Sequence, residues 1–376
     1  MKILFVCDQF DAANNGTTIT ARRFFYHLQA RGHEMRVVAT GEEGEDKYVV
    51  KEFKLPMVDG IIKSQGMMFA RPDTQTLESA ISWADVVHFV MPFALSIEGE
   101  KICRRLGVPC TAAFHVQPEN ITSTVHMKDF TALNTMIYHG FRDIFYNKFG
   151  HIHCPSRFIA GELEKNGYKA KLHVISNGVE PDFKYRRDAV KSPEFQGRIV
   201  IMMIGRLSIE KRQDVIIDAV EKSKYADRIQ LVFAGQGPTL ESLRKRGEKL
   251  ANKPIFRFFE KEALIDMLAQ TDLYVHAADI EIEAISCIEA FSSGVVPVIA
   301  NSSRSATRQF ALDKRSLFVP GDPQDLAETI DYWLDNDDER ERMEHKYAES
   351  GKQYNIERSI DLAEEMFAEA IADSRA

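Results

Sequence analysis

Short β-branched runs recur along this chain, and each is followed by a polar loop and then by residues at helical spacing. Residues 2–8 (KILFVCD) read as a buried strand, residues 19–30 as a helix stopped by Gly32, and residues 35–40 as the next strand. Strand, loop, helix, strand requires a crossover, so neighbouring strands run parallel and helices cover both faces. The same rhythm predicts strands at 83–90, 110–115, 151–156 and 172–175. After a polar tract at 184–197 it resumes at 199–205, 230–234, 256–259, 273–276 and 295–300. Such a chain is confined to the α/β class, and the polar tract splits it into two domains.

A length of 376 residues is enough for two separate cores. No apolar run reaches eighteen residues, so no transmembrane helix is expected, and the first residues read as a strand and not as a signal peptide. Five cysteines (7, 103, 110, 154 and 287) with no C-x-x-C pair argue for reduced thiols in a cytoplasmic protein, and against a zinc site or disulfide framework. Residues 1–190 carry 23 Lys/Arg against 22 Asp/Glu, and the remainder 25 against 34, so the second half is acidic. An acidic half is unsuited to a nucleic-acid backbone, and no nucleic-acid partner is expected. The near-neutral first half neither demands nor excludes an anionic membrane surface.

Candidate chemistry concentrates in residues 281–299, EIEAISCIEAFSSGVVPVI. Glu281 and Glu289 stand eight apart. The stretch predicts an acidic loop, a short helix over 284–291, a stop at Gly294 and a buried strand interrupted by Pro297. A helix N-terminus offers free N–H groups and the positive dipole end, so the backbone at Ile285 and Ser286 is a phosphate seat. Glu281 lies just before that terminus and Glu289 about a turn inside it. Carboxylates on either side of a diphosphate suit the hydroxyls of a sugar nucleotide; the plain alternative is two solvated surface charges. Arg206 and Lys211 stand at another strand-to-helix turn, where two cations suit a diphosphate leaving group. A solvated basic loop is the alternative there.

Other positions are less decided. His115 ends a strand, where open α/β sheets bind ligands. Gly16 in the first loop suits either close backbone approach or a plain turn. Residues 130–149 carry aromatics at helical spacing; core packing is favoured over membrane docking because the nearby charges nearly cancel. Asp335-Asn336-Asp337 is formally a D-x-D metal-sugar motif, but it lies in a charged run at a helix end and reads as surface. No metal is expected.

The E-x7-E spacing with "EAFSSGVVPVIA" resembles the signature of retaining, nucleotide-sugar-dependent glycosyltransferases of family 4. "ARGHEMRVV", "ADVVHFVMPF", "VISNGVEPDF" and "GRLSIEKRQDVIIDA" extend the resemblance over nearly the whole chain. It departs at Arg212, where glycine is usual, and at "NSSRSATRQF", which replaces a "GG--E" loop but whose hydroxyls and Arg304 still suit the phosphate side. The resemblance implies the GT-B fold: two facing Rossmann-like domains, here 1–185 for the acceptor and 195–355 for the nucleotide sugar, with a last helix (356–376) crossing back to the first.

It also implies roles. Arg206 and Lys211 neutralise the leaving phosphates, Glu281 holds sugar hydroxyls, Glu289 binds the ribose, and His115 contacts the transferred sugar. Gly16, Gly235 and Gly237 lie near the nucleotide, and Glu119 and Asn120 near the acceptor. The implied reaction is metal-independent and proceeds by a front-face mechanism in a cleft between the domains. No cofactor is expected besides the donor substrate, a nucleoside-diphosphate hexose, UDP rather than GDP. The "EIEAISCIEA", "SATRQFAL" and "HVQPENIT" segments look like those of bacterial transferases acting on diacylglycerol or another lipid-linked acceptor. That predicts a cytoplasmic protein, peripheral at the inner membrane face through its N-terminal domain. A nucleotide-sugar epimerase of the same fold and a catalytically silent binding protein are the alternatives. The Arg206/Lys211 pair with the Glu281/Glu289 spacing speaks against the first, and the intact candidates at 115, 206, 211, 281 and 289 speak against the second.

Overall fold

In the computed structural model the described residues are 1–11, 15–53, 68–123, 127, 129–186 and 189–375. Residues 12–14 of the first loop, 124–126 and 128 after His115, and 187 and 188 of the polar tract lie outside them. The chain folds as two compact units, Met1–Gly178 with Glu357–Ala376, and Val179–Ile356.

The first unit is built on seven parallel strands: β1 (Lys2–Val6), β2 (Glu34–Ala39), β3 (Lys47–Val49), β4 (Val86–Phe89), β5 (Cys110–Ala113), β6 (His151–Cys154) and β7 (Lys171–Val174). Their order is β3-β2-β1-β4-β5-β6-β7. Ile3, Leu4, Phe5 and Val6 are all buried, odd and even alike, which is why β1 reads as a continuous apolar run. A side chain caps the first helix as its polar loop predicts: Asn15 Oδ1 accepts from Thr18 N (2.9 Å) at the start of the Gly16–Ala30 helix. The strand expected from residue 83 begins later. Trp83 ends the Thr74–Trp83 helix, and pairing with β1 starts at Val86 opposite Ile3.

The final helix, Ile356–Asp373, belongs to this unit from Glu357 onward. It buries Ile360, Ala363, Met366, Phe367 and Ala370, one stripe at three- and four-residue spacing. Arg31 donates to Glu357 (2.6 Å) and Glu364 (3.0 Å) along the same helix. The aromatic segment divides in two. Phe145, Tyr146 and Phe149 are core, but the Thr131–Ile144 helix buries only Asn134 and Tyr138, leaving Met136 62% and Ile144 58% exposed. Core packing therefore describes the end of the segment and not its helix.

The second unit has six parallel strands: β8 (Ile199–Ile204), β9 (Ile229–Ala234), β10 (Ile255–Arg257), β11 (Leu273–His276), β12 (Pro297–Ala300) and β13 (Leu317–Phe318). Their order is β10-β9-β8-β11-β12-β13. Pro297 opens β12 instead of interrupting a strand, a place where its missing N–H costs no ladder bond. Gly294 takes φ 87°, and a Cβ there would meet the Tyr185 ring at 2.1 Å. Asp335 pairs with Lys224 and accepts from Tyr225 Oη (2.7 Å), and Asp337 pairs with Arg340 (2.7 Å), so protein groups occupy both acids of the D-x-D.

In both sheets the order reverses beside the unit's first strand, between β1 and β4 and between β8 and β11. Ligands of open parallel sheets bind at the carboxyl ends of strands flanking such a switch point. Among the described residues all five cysteines are free, and no helix is long and apolar enough to cross a membrane.

Candidate active site

At the switch point of the second sheet, β8 gives way to a loop over 205–208 and a 3-10 turn, Ile209–Lys211. Gly235-Gln236-Gly237, after β9, packs against this loop backbone to backbone. Leu207 N donates to the Gln236 carbonyl (3.0 Å), and Thr239 N donates to the Leu207 carbonyl (3.2 Å). A Cβ on Gly235 would lie 2.0 Å from the Gly205 oxygen, and one on Gly237 2.2 Å from the Leu207 oxygen. Both glycines are therefore required by the fit of the two loops, before any ligand is considered.

Arg212 follows with φ 55° and ψ 39°, the left-handed conformation that favours glycine. This explains why glycine is usual at the position; here arginine bears the strained backbone. The side chain offsets its backbone strain through Asp214 (3.1 Å) and Asp279 (3.5 Å).

The chain after β11 reaches the same place. Asp279 N donates to the Glu210 carbonyl (2.9 Å), joining the loop after β11 to the 3-10 turn. Lys211 Nζ consequently ion-pairs with Glu281 Oε1, across 70 residues of sequence. His276 Nε2 lies 3.1 Å from the same oxygen. Burial pushes the Glu281 carboxyl up, but Lys211 and His276 overcome it and hold it down at about 2. Burial lowers the His276 pKa despite Glu281, so the ring is neutral. A carboxylate only accepts, so Nε2 carries the proton and Nδ1 accepts from Tyr274 Oη at 3.2 Å. Tyr274 Oη is also 3.2 Å from Ser286 Oγ. A buried line of polar groups thus runs from Ser286 at the helix start to Glu281.

The Ile285–Ser292 helix begins after Ala284, which has φ 69° and makes no side-chain cap. Its first amides are the expected phosphate seat, and Glu289 is buried a turn further in. The loop after β12 holds Glu281 from behind: Ala306 N donates to its carbonyl (2.9 Å), and Ser302 Oγ donates to that of Asp279 (2.6 Å). Ser302, Ser305 and Thr307 are buried, and Ser305 Oγ and Thr307 Oγ1 bond each other at 2.7 Å. Arg206 lies on the loop after β8, where its carbonyl accepts from Gln213 Nε2 (2.8 Å).

His115 and Gly16 lie in the first unit. His115 is buried two residues beyond β5, its ring edge-on to His153 at 5.3 Å. Burial first, then His153, depress its pKa to about 3, so it exchanges hydrogen bonds as a neutral ring. Gly16 opens the first helix, and a Cβ there would meet nothing within 4 Å. The protein itself does not demand glycine at that position. Glu119, raised by burial, accepts from Tyr138 Oη at 3.4 Å.

The sequence reading did not single out His276 and Tyr274. His276 closes β11, so like His115 it stands at the carboxyl end of a parallel strand. His276→Phe keeps an aromatic ring, somewhat larger than imidazole, and removes the Nε2–H donor together with the Nδ1 acceptor of Tyr274. A hydrogen bond to a charged group is worth about 1.5–3 kcal/mol, so any turnover that depends on Glu281 is expected to fall about 10–100-fold. Steady-state kinetics beside a melting curve checks this; unchanged turnover would show that Lys211 alone positions Glu281.

Residues 14–183 match the model described as Glycosyltransferase Family 4, and residues 185–350 the one described as Glycosyl transferases group 1. The chain is 25% identical over 325 residues to the alpha-monoglucosyldiacylglycerol synthase of Streptococcus pneumoniae, covering 81% of this chain and 71% of that one. It is 24% identical over 314 residues to a GDP-mannose-dependent alpha-mannosyltransferase of Corynebacterium glutamicum, covering 78% and 71%. Anabaena HepE, solved in complex with UDP-glucose, superposes with a TM-score of 0.73 at 15% identity, over 99% of this chain and all (100%) of that one. Two parallel-sheet, Rossmann-like domains of this kind define the GT-B class of glycosyltransferases. Within that class the chain belongs to glycosyltransferase family 4.

Proposed function

We propose that this protein is a retaining glycosyltransferase that moves glucose, or a related hexose, from a UDP-linked donor to a hydroxyl of diacylglycerol or another lipid-linked acceptor. One observation carries the reading: Lys211 and an ionised Glu281 meet at the switch point of the second sheet, beside a helix end with free amides. On donor binding Lys211 turns from Glu281 to the diphosphate. The acceptor oxygen then bonds to the anomeric carbon as the bond from that carbon to the phosphate oxygen breaks. The electron pair leaves with the phosphate, which takes the acceptor's proton on the same face. Lys211 and Arg206 offset the charge developing there, so no metal ion is required for the step. The amides of Ile285 and Ser286 seat the phosphate, Glu281 accepts from sugar hydroxyls, and Glu289 accepts from the ribose. His115 bonds a substrate hydroxyl as a neutral ring.

A lipid acceptor is supported by the streptococcal relative's name and by the apolar side chains exposed around the Thr131–Ile144 helix. They suit peripheral contact with the cytoplasmic face of a membrane. The test is a melting-temperature and hydrolysis panel of UDP-, GDP- and ADP-sugars, with and without EDTA, followed by diacylglycerol or soluble sugars as acceptor. A ligand at 100 times its Kd stabilises by about 2.7 kcal/mol, so the productive nucleotide stands out. The expected result is a UDP-glucose shift that survives EDTA and an α-linked lipid product by NMR. No shift with any nucleotide sugar would overturn the reading.

A further inference from the structure

We propose that His151, His173 and Glu369 form a site for one divalent transition-metal ion, zinc in the first instance, that fastens the final helix to the edge of the first sheet. The residues come from three elements of one unit. β6 and β7 pair with His151 opposite Lys171 and His153 opposite His173, so His151 and His173 are diagonal neighbours on one face. The Ile356–Asp373 helix presents Glu369 and Asp373 four apart, on one of its own faces.

The ligand atoms are spaced for a metal. His151 Nδ1 and His173 Nε2 are 2.9 Å apart, and Glu369 Oε2 is 3.9 Å from the first and 3.8 Å from the second. The nearest point equidistant from these three atoms lies in their plane, about 2.1 Å from each, within the usual range of zinc–nitrogen and zinc–carboxylate bonds.

A second feature points the same way. Asp373 Oδ2 lies 3.0 Å from His151 Nε2, so that nitrogen carries the proton and Nδ1 turns its lone pair to the shared point. A carboxylate on the far nitrogen is the usual outer partner of a metal-bound histidine. Two imidazoles and one carboxylate suit zinc, cobalt or nickel and not magnesium or calcium. Glu369 is 42% exposed, which leaves the fourth position to water and gives the ion a way in.

Without an ion the same atoms have another arrangement. His173 Nε2–H donates to His151 Nδ1, and Lys171 Nζ donates to Glu369 Oε2 (2.5 Å), the same oxygen that would face the ion. Metal binding replaces both, and it concerns groups apart from the donor site of the second unit.

The full-length protein, stripped with EDTA and dialysed, is loaded with zinc chloride and passed through gel filtration. Retained metal is then measured by elemental analysis. About one zinc per chain is expected, with a rise of several degrees in melting temperature. Cobalt in its place should give the visible absorption of a four- or five-coordinate centre. Glu369→Gln, at an exposed position, and His173→Gln should each weaken retention at least tenfold. Both should still melt cooperatively in EDTA, which shows that they fold. Substoichiometric zinc in the wild type would overturn the proposal in favour of the hydrogen-bonded pair. Equal retention by the variants would assign the metal to other histidines and overturn it too. In the donor panel EDTA should lower the baseline melting temperature and leave the donor-induced increment unchanged, so this proposal and the transferase reading fail separately.

Discussion

Lys211→Ala is expected to reduce sugar transfer about 10²–10³-fold, the size of effect seen when one preorganised charge at a transition state is removed. The loss should fall mainly on kcat, because the phosphate gains charge as the bond to the sugar breaks. The resting protein should suffer as well. Glu281 is largely buried, and its carboxyl is held at about 2 by Lys211 and His276 against a burial that pushes it up. A group whose folded pKa is depressed stabilises the fold above its unfolded pKa and loses that contribution as pH falls. The wild-type contribution is therefore complete above about pH 5 and lost only as pH falls toward 2. Without Lys211, burial acts against His276 alone, the carboxyl titrates higher, and stability at neutral pH drops by about 3 kcal/mol. Chemical denaturation from pH 3 to 8, beside steady-state kinetics, reads both effects. A variant with wild-type kcat would remove Lys211 from the chemistry.

Gly237→Ala is expected to be among the most damaging single methyls in the second unit. The added Cβ would sit 2.2 Å from the Leu207 oxygen, 2.7 Å from its carbonyl carbon and 2.7 Å from its nitrogen. All three are backbone atoms, and Leu207 itself is buried, so no flexible side chain can swing away. The loop over 205–211 must move, and Lys211 and Arg206 move with it. A cost of about 3 kcal/mol or more is expected, together with loss of nucleotide binding. Gly150→Ala, where a Cβ meets nothing within 4 Å, is the control and should melt like wild type. A Gly237→Ala protein with normal stability and donor binding would show that the two loops fit together more loosely than their hydrogen bonds suggest.

Much of the architecture was legible in the chain because periodicity is local. LYVH at 273–276 became β11 with those bounds, and the helix after Ala284 began one residue later than expected. Misreadings came where a neighbour decided the outcome. Trp83 looked like the head of a strand but closes a helix, since β4 is defined by pairing with β1. The aromatics of 130–149 look alike on paper. Only the surrounding sheet distinguishes Phe145, which is packed, from Phe130, which is exposed. After Ala300 only the tertiary structure shows that the Ser302 hydroxyl braces the carbonyl of Asp279 and the Ala306 amide that of Glu281.

The sequence by itself determined the α/β class, the two sheets, and which loops carry cations and carboxylates, because strand and helix periods and loop polarity are written within a few residues. The tertiary structure alone decided the partnerships. β8 pairs with β11 although β9 and β10 come between them, and that crossover sets Lys211 against Glu281. It also determined that Gly235 and Gly237 serve loop packing, that Arg212 bears a left-handed backbone, and that His276 and Tyr274 stand behind Glu281. His151, His173 and Glu369 are the clearest case: up to 218 positions apart, they meet because one strand edge and the last helix fold onto each other. No local pattern encodes a distance that the sheet order creates.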